Sequence, residues 1–446
     1  MADLVVVVPG ITGSVLRRDG RDVWNLSASA IGRSLASFSS AMEALRLPAG
    51  VGSGPAPATS AMEVGALITG WHLWPGIHGG PGYRRLLEAL AKAGNAVRGF
   101  GYDWRLSSRH TAGLLAARVD GWLRDWRAAS GDTDAKVTFV CHSMGGLAVR
   151  YYLEVLGGRE HARRVITLGT PYRGSVNAVR ALTGDAFGGV RPFAGQAALT
   201  ETARSFPALW ELLPTYRCVE EEGRPADLRD ARLPGLPPDA VAHGLGFHAD
   251  IAAAVARNSA PSYELHAFAG KRQATWQSLT HDLGELRYWR RQRGQDHRGD
   301  GTVPLFSAIP PEWASTEMAT CQAVRHGGLC SDATVLDLVL DKVEPLDMGE
   351  VLAPPCELGL DIPEVAGAGE PLSIRADSDR QDLLLHASLK DPATGGNAAQ
   401  ARMIPDQDGG YHASLAALPG TWRVVVEAVA ERPVVRVEDL VTVVPG

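Results

Sequence analysis

Three residues far apart in the chain, each within two positions of a glycine, are of the types that together make an activated serine nucleophile: Ser143, Asp300 and His326. Ser143 stands in the run Val137-Thr-Phe-Val-Cys-His-Ser-Met-Gly-Gly146. An apolar stretch leads there into one tight turn and then into a helical stretch, which is the context a nucleophile elbow requires. Such a turn strains the central residue and lifts its hydroxyl above the sheet edge, with a helix N-terminus behind it that favours developing negative charge. Small residues belong two positions to either side. Gly145 meets that need, while Cys141 departs from the usual glycine and tightens the turn. A serine hydroxyl is a weak nucleophile until a base, itself oriented by an acid, takes its proton. Asp300, in Arg298-Gly-Asp-Gly-Thr-Val-Pro304, and His326, in Val324-Arg-His-Gly-Gly-Leu329, follow in the order Ser, Asp, His. The imidazole would take the serine proton and return it to the leaving alcohol, and the carboxylate would fix the imidazole tautomer. Taken singly, Asp300 reads as a turn residue, and His326 is evenly balanced between packing and catalysis. Their joint order and context favour chemistry, with Asp296 as the reserve acid.

Acyl transfer also needs donors for the oxyanion. The backbone N–H of Met144, just after the nucleophile, is one candidate. That of Ile11, in Pro9-Gly-Ile-Thr-Gly-Ser14, is the other. His142 points away from its neighbour at so tight a turn, so it reads as structural, and Cys141 reads as a packed core thiol. Trp71, Trp74 and Trp104 are candidates for lining an acyl pocket or touching a bilayer, with core packing as the alternative. The basic run Arg287-Tyr-Trp-Arg-Arg-Gln-Arg293 reads either as a contact for anionic headgroups or as a solvated face. Asp103 and Arg105 are expected to pair with each other or with local backbone.

The elements that must position these residues follow from local patterns. Short apolar runs at 4–8, 96–100, 137–140, 165–168 and 265–269 read as strands buried on both faces, with 302–305 and 319–324 as further extended candidates. Helical spacing marks 83–93, 111–127, 145–156 and 332–343, the last with Ser331 or Asp332 as N-cap. Strands alternating with helices imply an α/β fold with a mostly parallel sheet. Residues 20–70 are looser, with a flexible loop at 47–58, and the expected lid lies within 22–76. Residues 172–260 are helical and loop-rich with an acidic turn at 220–222, and read as an inserted cap. Pro354-Pro355 marks a linker, after which short runs at 372–376, 383–389, 411–415, 422–428 and 440–444 predict a small antiparallel, immunoglobulin-like sandwich. The expected organisation is a catalytic domain over 1–348 and a β-sandwich over 349–446.

A formal charge of −6 argues against nucleic acid as a main partner. The five cysteines are odd in number and include no CxxC pair, so neither a metal site nor a disulfide framework is expected, and no organic cofactor is implied. Free thiols, an apolar N-terminal run too short for a leader and the lack of any apolar stretch of roughly 20 residues point to the cytoplasm, with peripheral membrane contact compatible.

The chain resembles the lecithin:cholesterol acyltransferase-type lipases and phospholipases A of the α/β-hydrolase superfamily. The resembling pieces are Val8-Pro-Gly-Ile-Thr-Gly-Ser14, Gly101-Tyr-Asp-Trp-Arg105, His142-Ser-Met-Gly-Gly146, Leu168-Gly-Thr-Pro-Tyr-Arg-Gly-Ser175, Ser205-Phe-Pro-Ala-Leu-Trp-Glu-Leu-Leu-Pro214, Gly299-Asp-Gly-Thr-Val-Pro304 and His326-Gly-Gly. They span roughly residues 1 to 345 in the family's order, and the Tyr-Asp-Trp-Arg run is the most specific. The resemblance implies Ser143, Asp300 and His326 as the triad, Ile11 and Met144 as the oxyanion positions, and cleavage of a lipid acyl ester with transfer of the acyl group to water or an alcohol. Two departures stand out. Secreted members close a lid with a disulfide, whereas no cysteine lies between residues 1 and 140 here, and the tail after 350 has no counterpart. A triad acting on a soluble ester or thioester is the first alternative. A non-catalytic hydrolase scaffold, with the tail binding a protein partner, is the second.

Overall fold

The computed structural model describes residues 3–25, 43–48, 50–51, 62–70, 72–74, 78–185, 196–221, 223–258, 262–282, 284–343, 356–406, 409–429 and 434–444. Its centre is a sheet of six strands: β1 (Leu4–Val8), β2 (Ala96–Gly99), β3 (Val137–His142), β4 (Ala162–Leu168), β5 (Glu264–Gly270) and β6 (Thr320–Gln322). The spatial order is β6-β5-β4-β3-β1-β2 and every pairing is parallel. The uninterrupted apolar run of β1 has a direct cause. Leu4, Val6 and Val8 enter the core on one face of the sheet, and Val5 and Val7 enter the core on the other.

Helices α1 (Arg84–Lys92) and α8 (Ala333–Val343) cover the Val5/Val7 face through Leu86, Leu90, Val335 and Val339. Asp332 caps α8, its Oδ1 accepting from Val335 N at 3.1 Å. The other face carries α2 (Ser108–Ser130), α3 (Met144–Glu154) and the cap helices α4 (Val176–Thr183), α5 (Gln196–Arg204), α6 (Pro207–Trp210) and α7 (Pro238–Arg257). The chain leaves β1 for the edge strand β2, then crosses back to β3 on the other side of β1. The strand order therefore reverses beside the C-terminal ends of β1 and β3, where open α/β sheets place their ligands.

Several sequence expectations are corrected. Residues 302–305 do not form a strand; they wrap the Asp300 carboxylate and run into a 3-10 turn over Leu305–Ala308, because a side-chain acceptor competes with a ladder for the backbone N–H groups. The segment read as loose, 20–70, contributes Arg21–Trp24 and Glu63–Leu67 to a three-stranded antiparallel sheet with Ser14–Arg18. Its hairpin signal was present: Asp19 and Gly20 both take positive φ, as a two-residue Asp-Gly turn does. The acidic segment at 220–222 begins as a strand, Val219–Glu221, which pairs with Arg224–Ala226 and with Ser278–Asp282; Glu285–Trp289 completes that sheet. Such short polar strands show no alternation. Most of the expected lid lies outside the described residues.

The C-terminal region is all β. One sheet contains Leu358–Asp361, Leu372–Ser378, Ile404–Pro405 and Tyr411–Leu415, and the other Val365–Gly367, Leu385–Lys390, Asn397–Arg402, Gly420–Ala428 and Val435–Val444. All pairings are antiparallel except that of Val365–Gly367 with Val435–Val444. Leu360, Ile374 and Ala413 from one sheet meet Ala387, Val426 and Val441 from the other in a shared core, which makes a sandwich. The boundary expected near 348 falls among residues outside the description.

Candidate active site

Strand β3 delivers Ser143 to the turn before α3 with φ 51° and ψ −128°, a conformation that L-residues rarely adopt. The turn is held on both sides. Ser143 N–H donates to Leu168 O at 2.9 Å, and Thr170 Oγ1 donates to Ser143 O at 2.9 Å. Gly145 is required by close approach, since a Cβ there would lie 2.4 Å from Pro9 O. The side chain of Cys141 packs in the core, and burial pushes its thiol far above the ordinary range, as expected of a structural cysteine.

Asp300 and His326 come from loops after β5 and β6 and meet Ser143 at the ends of the strands. Asp300 Oδ1 accepts from Thr302 N at 2.9 Å and Val303 N at 2.6 Å, and Oδ2 lies 2.6 Å from His326 Nδ1. A carboxylate only accepts, so Nδ1 carries the proton and Nε2 is left to accept from Ser143 Oγ, 2.9 Å away. Asp300 is 1 % exposed and His326 3 %. Asp296, the reserve acid, is engaged elsewhere: its Oδ1 accepts from Gln277 Nε2 and Arg298 N, both at 2.7 Å, and it pairs with the Arg298 guanidinium.

The loop after β1 closes the other side. A turn runs from Gly10 O to Gly13 N with Thr12 at φ 65°. Ile11, in that turn, lines a cavity shared with Ser143 and His326. Met144 is the first residue of α3 and is buried beneath the serine. Between that loop and His326 lies a relay absent from the sequence reading. Gly10 N–H donates to Tyr83 Oη at 2.8 Å, so the Tyr83 hydroxyl donates to His142 Nδ1 at 2.9 Å, and His142 Nε2–H donates to His326 O at 3.1 Å. His142 thus ties the backbone of His326 to the end of β3.

The tryptophan candidates separate. Trp104 is fully buried, donates Nε1–H to Ser14 O at 3.2 Å and stacks edge-on against Trp24 and Phe206. It belongs to the core and does not line the cavity at Ser143, which corrects its assignment to substrate. Trp71 lies outside the described residues, as does the side chain of Trp74, whose backbone is in the strand His72–Trp74. Asp103 and Arg105 form a buried bidentate pair at 2.8 and 2.6 Å, and Arg105 Nη1 also donates to Leu45 O. Glu211 of the Ser205–Pro214 motif reaches the N-terminus of α2, accepting from Ser107 Oγ, Ser108 N and Arg109 Nη1. Two of the resembling motifs are therefore structural braces of one corner. In the basic run, Arg290 pairs with Asp361 of the C-terminal sandwich at 2.5 Å and stacks over Trp276.

The sandwich also grips the loops that carry Asp300 and His326. Arg325, immediately before His326, donates Nη1–H to Leu360 O at 2.8 Å and pairs through Nε with Asp439. Gln273 N–H donates to Gly299 O beside Asp300, and its side chain brackets the strand of Leu358–Asp361, donating to Leu358 O at 3.2 Å and accepting from Leu360 N at 2.7 Å. No local pattern in the chain announces these contacts, because each joins residues distant in sequence.

Residues 79–225 match the model of the lecithin:cholesterol acyltransferase family. No curated protein matches the chain. Among solved structures, the Tle4–Tli4 complex aligns at 15 % identity over 78 % of this chain and 99 % of that one, with a TM-score of 0.51. The chain carries a lecithin:cholesterol acyltransferase-like segment on an α/β-hydrolase fold. That segment contains Ser143 and neither Asp300 nor His326, so those two rest on geometry. The mature lipase BlEst2 of Bacillus licheniformis aligns at 13 % identity over 77 % of this chain and 92 % of that one with a TM-score of 0.36. Phospholipase PlaB from Legionella pneumophila aligns at 11 % over 84 % and 91 % with a TM-score of 0.27. These two scores are too low to add to the fold assignment. Among the described residues no helix is long and apolar enough to cross a membrane, and no cluster of His, Cys, Asp and Glu is arranged to hold a metal ion.

Proposed function

We propose that the chain is a serine-dependent lipid acyl-ester hydrolase or O-acyltransferase that works through an acyl-enzyme on Ser143. The observation that carries the reading is the unbroken chain Ser143 Oγ, His326 Nε2, His326 Nδ1, Asp300 Oδ2, with spacings of 2.9 and 2.6 Å. His326 takes the serine proton as the hydroxyl attacks the acyl carbonyl. The backbone N–H groups of Ile11 and Met144 receive the oxyanion, and Asp300 stabilises the imidazolium. His326 then protonates the leaving alcohol, and water or an acceptor alcohol, deprotonated in turn by His326, releases the acyl group. The family-like segment supports a lipid acyl chain as the substrate, and Ile11, Leu209, Leu212 and Val303 supply apolar surface beside Ser143. In this reading residues 1–348 form the catalytic unit and 349–446 the sandwich that steadies its loops.

The test is labelling with a fluorophosphonate probe, followed by a phospholipid screen with product identification. Ser143→Ala is expected to abolish labelling and to lower turnover by roughly five to six decades. Retained turnover of a short p-nitrophenyl ester in that variant would overturn the assignment.

A further inference from the structure

The cavity at Ser143 has apolar walls from Ile11, Leu209, Leu212 and Val303, and besides Ser143 and His326 its polar lining residues are Ser175, Thr302 and Asn177. Asn177 lies in the first turn of α4 and is only 4 % exposed. Its backbone N–H donates to the Ser175 capping hydroxyl at 3.2 Å, the ordinary bond of that position. Its side chain makes no such bond. Both Nδ2 and Oδ1 are buried without a hydrogen-bond partner among the described residues. The nearby Ser175 hydroxyl is no remedy, since it gives its proton to Thr302 O at 2.5 Å. Buried amides are nearly always satisfied, and an orphaned one needs an explanation specific to its place. A leucine of similar size would complete the apolar wall at no such cost.

We infer that Asn177 is a specificity-determining residue that recognises a neutral hydroxyl on the substrate, a few atoms from the scissile carbonyl. A hydroxyl suits the amide because it accepts from Nδ2–H and donates to Oδ1 at once. No Lys or Arg lines this cavity among the described residues, so an anionic group has no partner there, whereas a hydroxyl on an otherwise apolar acyl ester matches both the walls and the amide. The hydroxyl can be carried by the acyl chain or by the alcohol, and the chemistry at Asn177 is the same for both. The inference rests on Ser143 as the nucleophile and names the substrate class for that site.

The experiment compares kcat/KM of the full-length protein for three esters: propyl octanoate, propyl 3-hydroxyoctanoate and glyceryl 1-octanoate. A site built around a hydrogen-bonded hydroxyl discriminates strongly against the analogue that lacks it. The wild type is expected to prefer one of the hydroxylated esters over propyl octanoate by about tenfold or more. A preference for the hydroxyacyl ester places the hydroxyl on the chain, and one for the glyceryl ester places it on the alcohol. In Asn177→Leu, and in Asn177→Ala as a smaller change, that ratio is expected to collapse to within about twofold, because the discriminating hydrogen bonds are gone. Turnover without preference in the wild type, or a preference retained in both variants, overturns the inference and leaves Ser143 standing. Failure of the wild type to turn over any of the three, with no fluorophosphonate labelling, overturns both readings.

Discussion

A methyl group at residue 10 is the sharpest probe of how the oxyanion loop and the nucleophile are fitted. Gly10 does not use a positive φ, so Gly10→Ala carries no backbone penalty and acts through contact alone. The added Cβ would sit 2.8 Å from Ser143 Cβ and 3.3 Å from His142 Nδ1. Ordinary contact begins at 3.4 Å, so the serine or the loop must retreat by 3.4 − 2.8, about 0.6 Å. If the serine moves, the 2.9 Å link to His326 Nε2 stretches to about 3.5 Å and ceases to be a hydrogen bond. If the loop moves, Ile11 N–H leaves the position proposed for oxyanion binding and Gly10 N–H strains its bond to Tyr83. Misplacement of this size costs on the order of 10- to 100-fold in kcat, and overpacking costs about 1–3 kcal/mol of stability. The assay is initial rate on a short-chain p-nitrophenyl ester, with the fluorophosphonate labelling rate and a urea unfolding curve on the same sample. Gly113→Ala is the control: its Cβ meets nothing within 4 Å in the middle of α2, so it should gain roughly 0.5–1 kcal/mol and keep its activity. A folded Gly10→Ala protein with wild-type rate and labelling would refute the close-fit argument.

Two other perturbations test the surroundings of the site. Arg325→Met leaves the Asp439 carboxylate, 18 % exposed, without its cation and Leu360 O without its donor, which should cost about 3 kcal/mol and lower kcat more than it raises KM. Arg325→Met combined with Asp439→Leu should recover most of the stability, and a loss in the single variant below about 1 kcal/mol by chemical unfolding would show that the sandwich does not brace the base. Burial lowers the His248 imidazole from its usual 6.5 to about 4 as it donates to Glu211 O at 2.7 Å. The fold therefore favours neutral His248, and the stability it protects is intact above pH 6.5 and is lost as pH falls toward 4, by at most about 3 kcal/mol. His248→Gln should flatten that part of the stability profile between pH 7 and 4.5; parallel profiles for the two proteins would count against it.

Much of this molecule is written in local pattern. The apolar runs of β1 and β3, the helix after Ser143, the order Ser143, Asp300, His326 and the late alternating strands were all legible because burial on two faces, turn chemistry and periodicity act over a few residues. Short polar strands such as Val219–Glu221 carried no such pattern, and the Asp19-Gly20 hairpin was readable but drowned in a charged neighbourhood. Which carboxylate meets His326, whether Trp104 faces substrate or core, and what the C-terminal sandwich touches were decided by the tertiary structure alone. Asp296 and Asp300 are four residues apart on one loop, and only the packing of that loop against β5 and the His326 turn turns Asp300 inward. The Arg325–Asp439 pair and the buried Asn177 amide belong to the same class. Each depends on distant segments meeting, and the energy of burying a charge or an amide depends on those partners and not on the residue's neighbours in the chain.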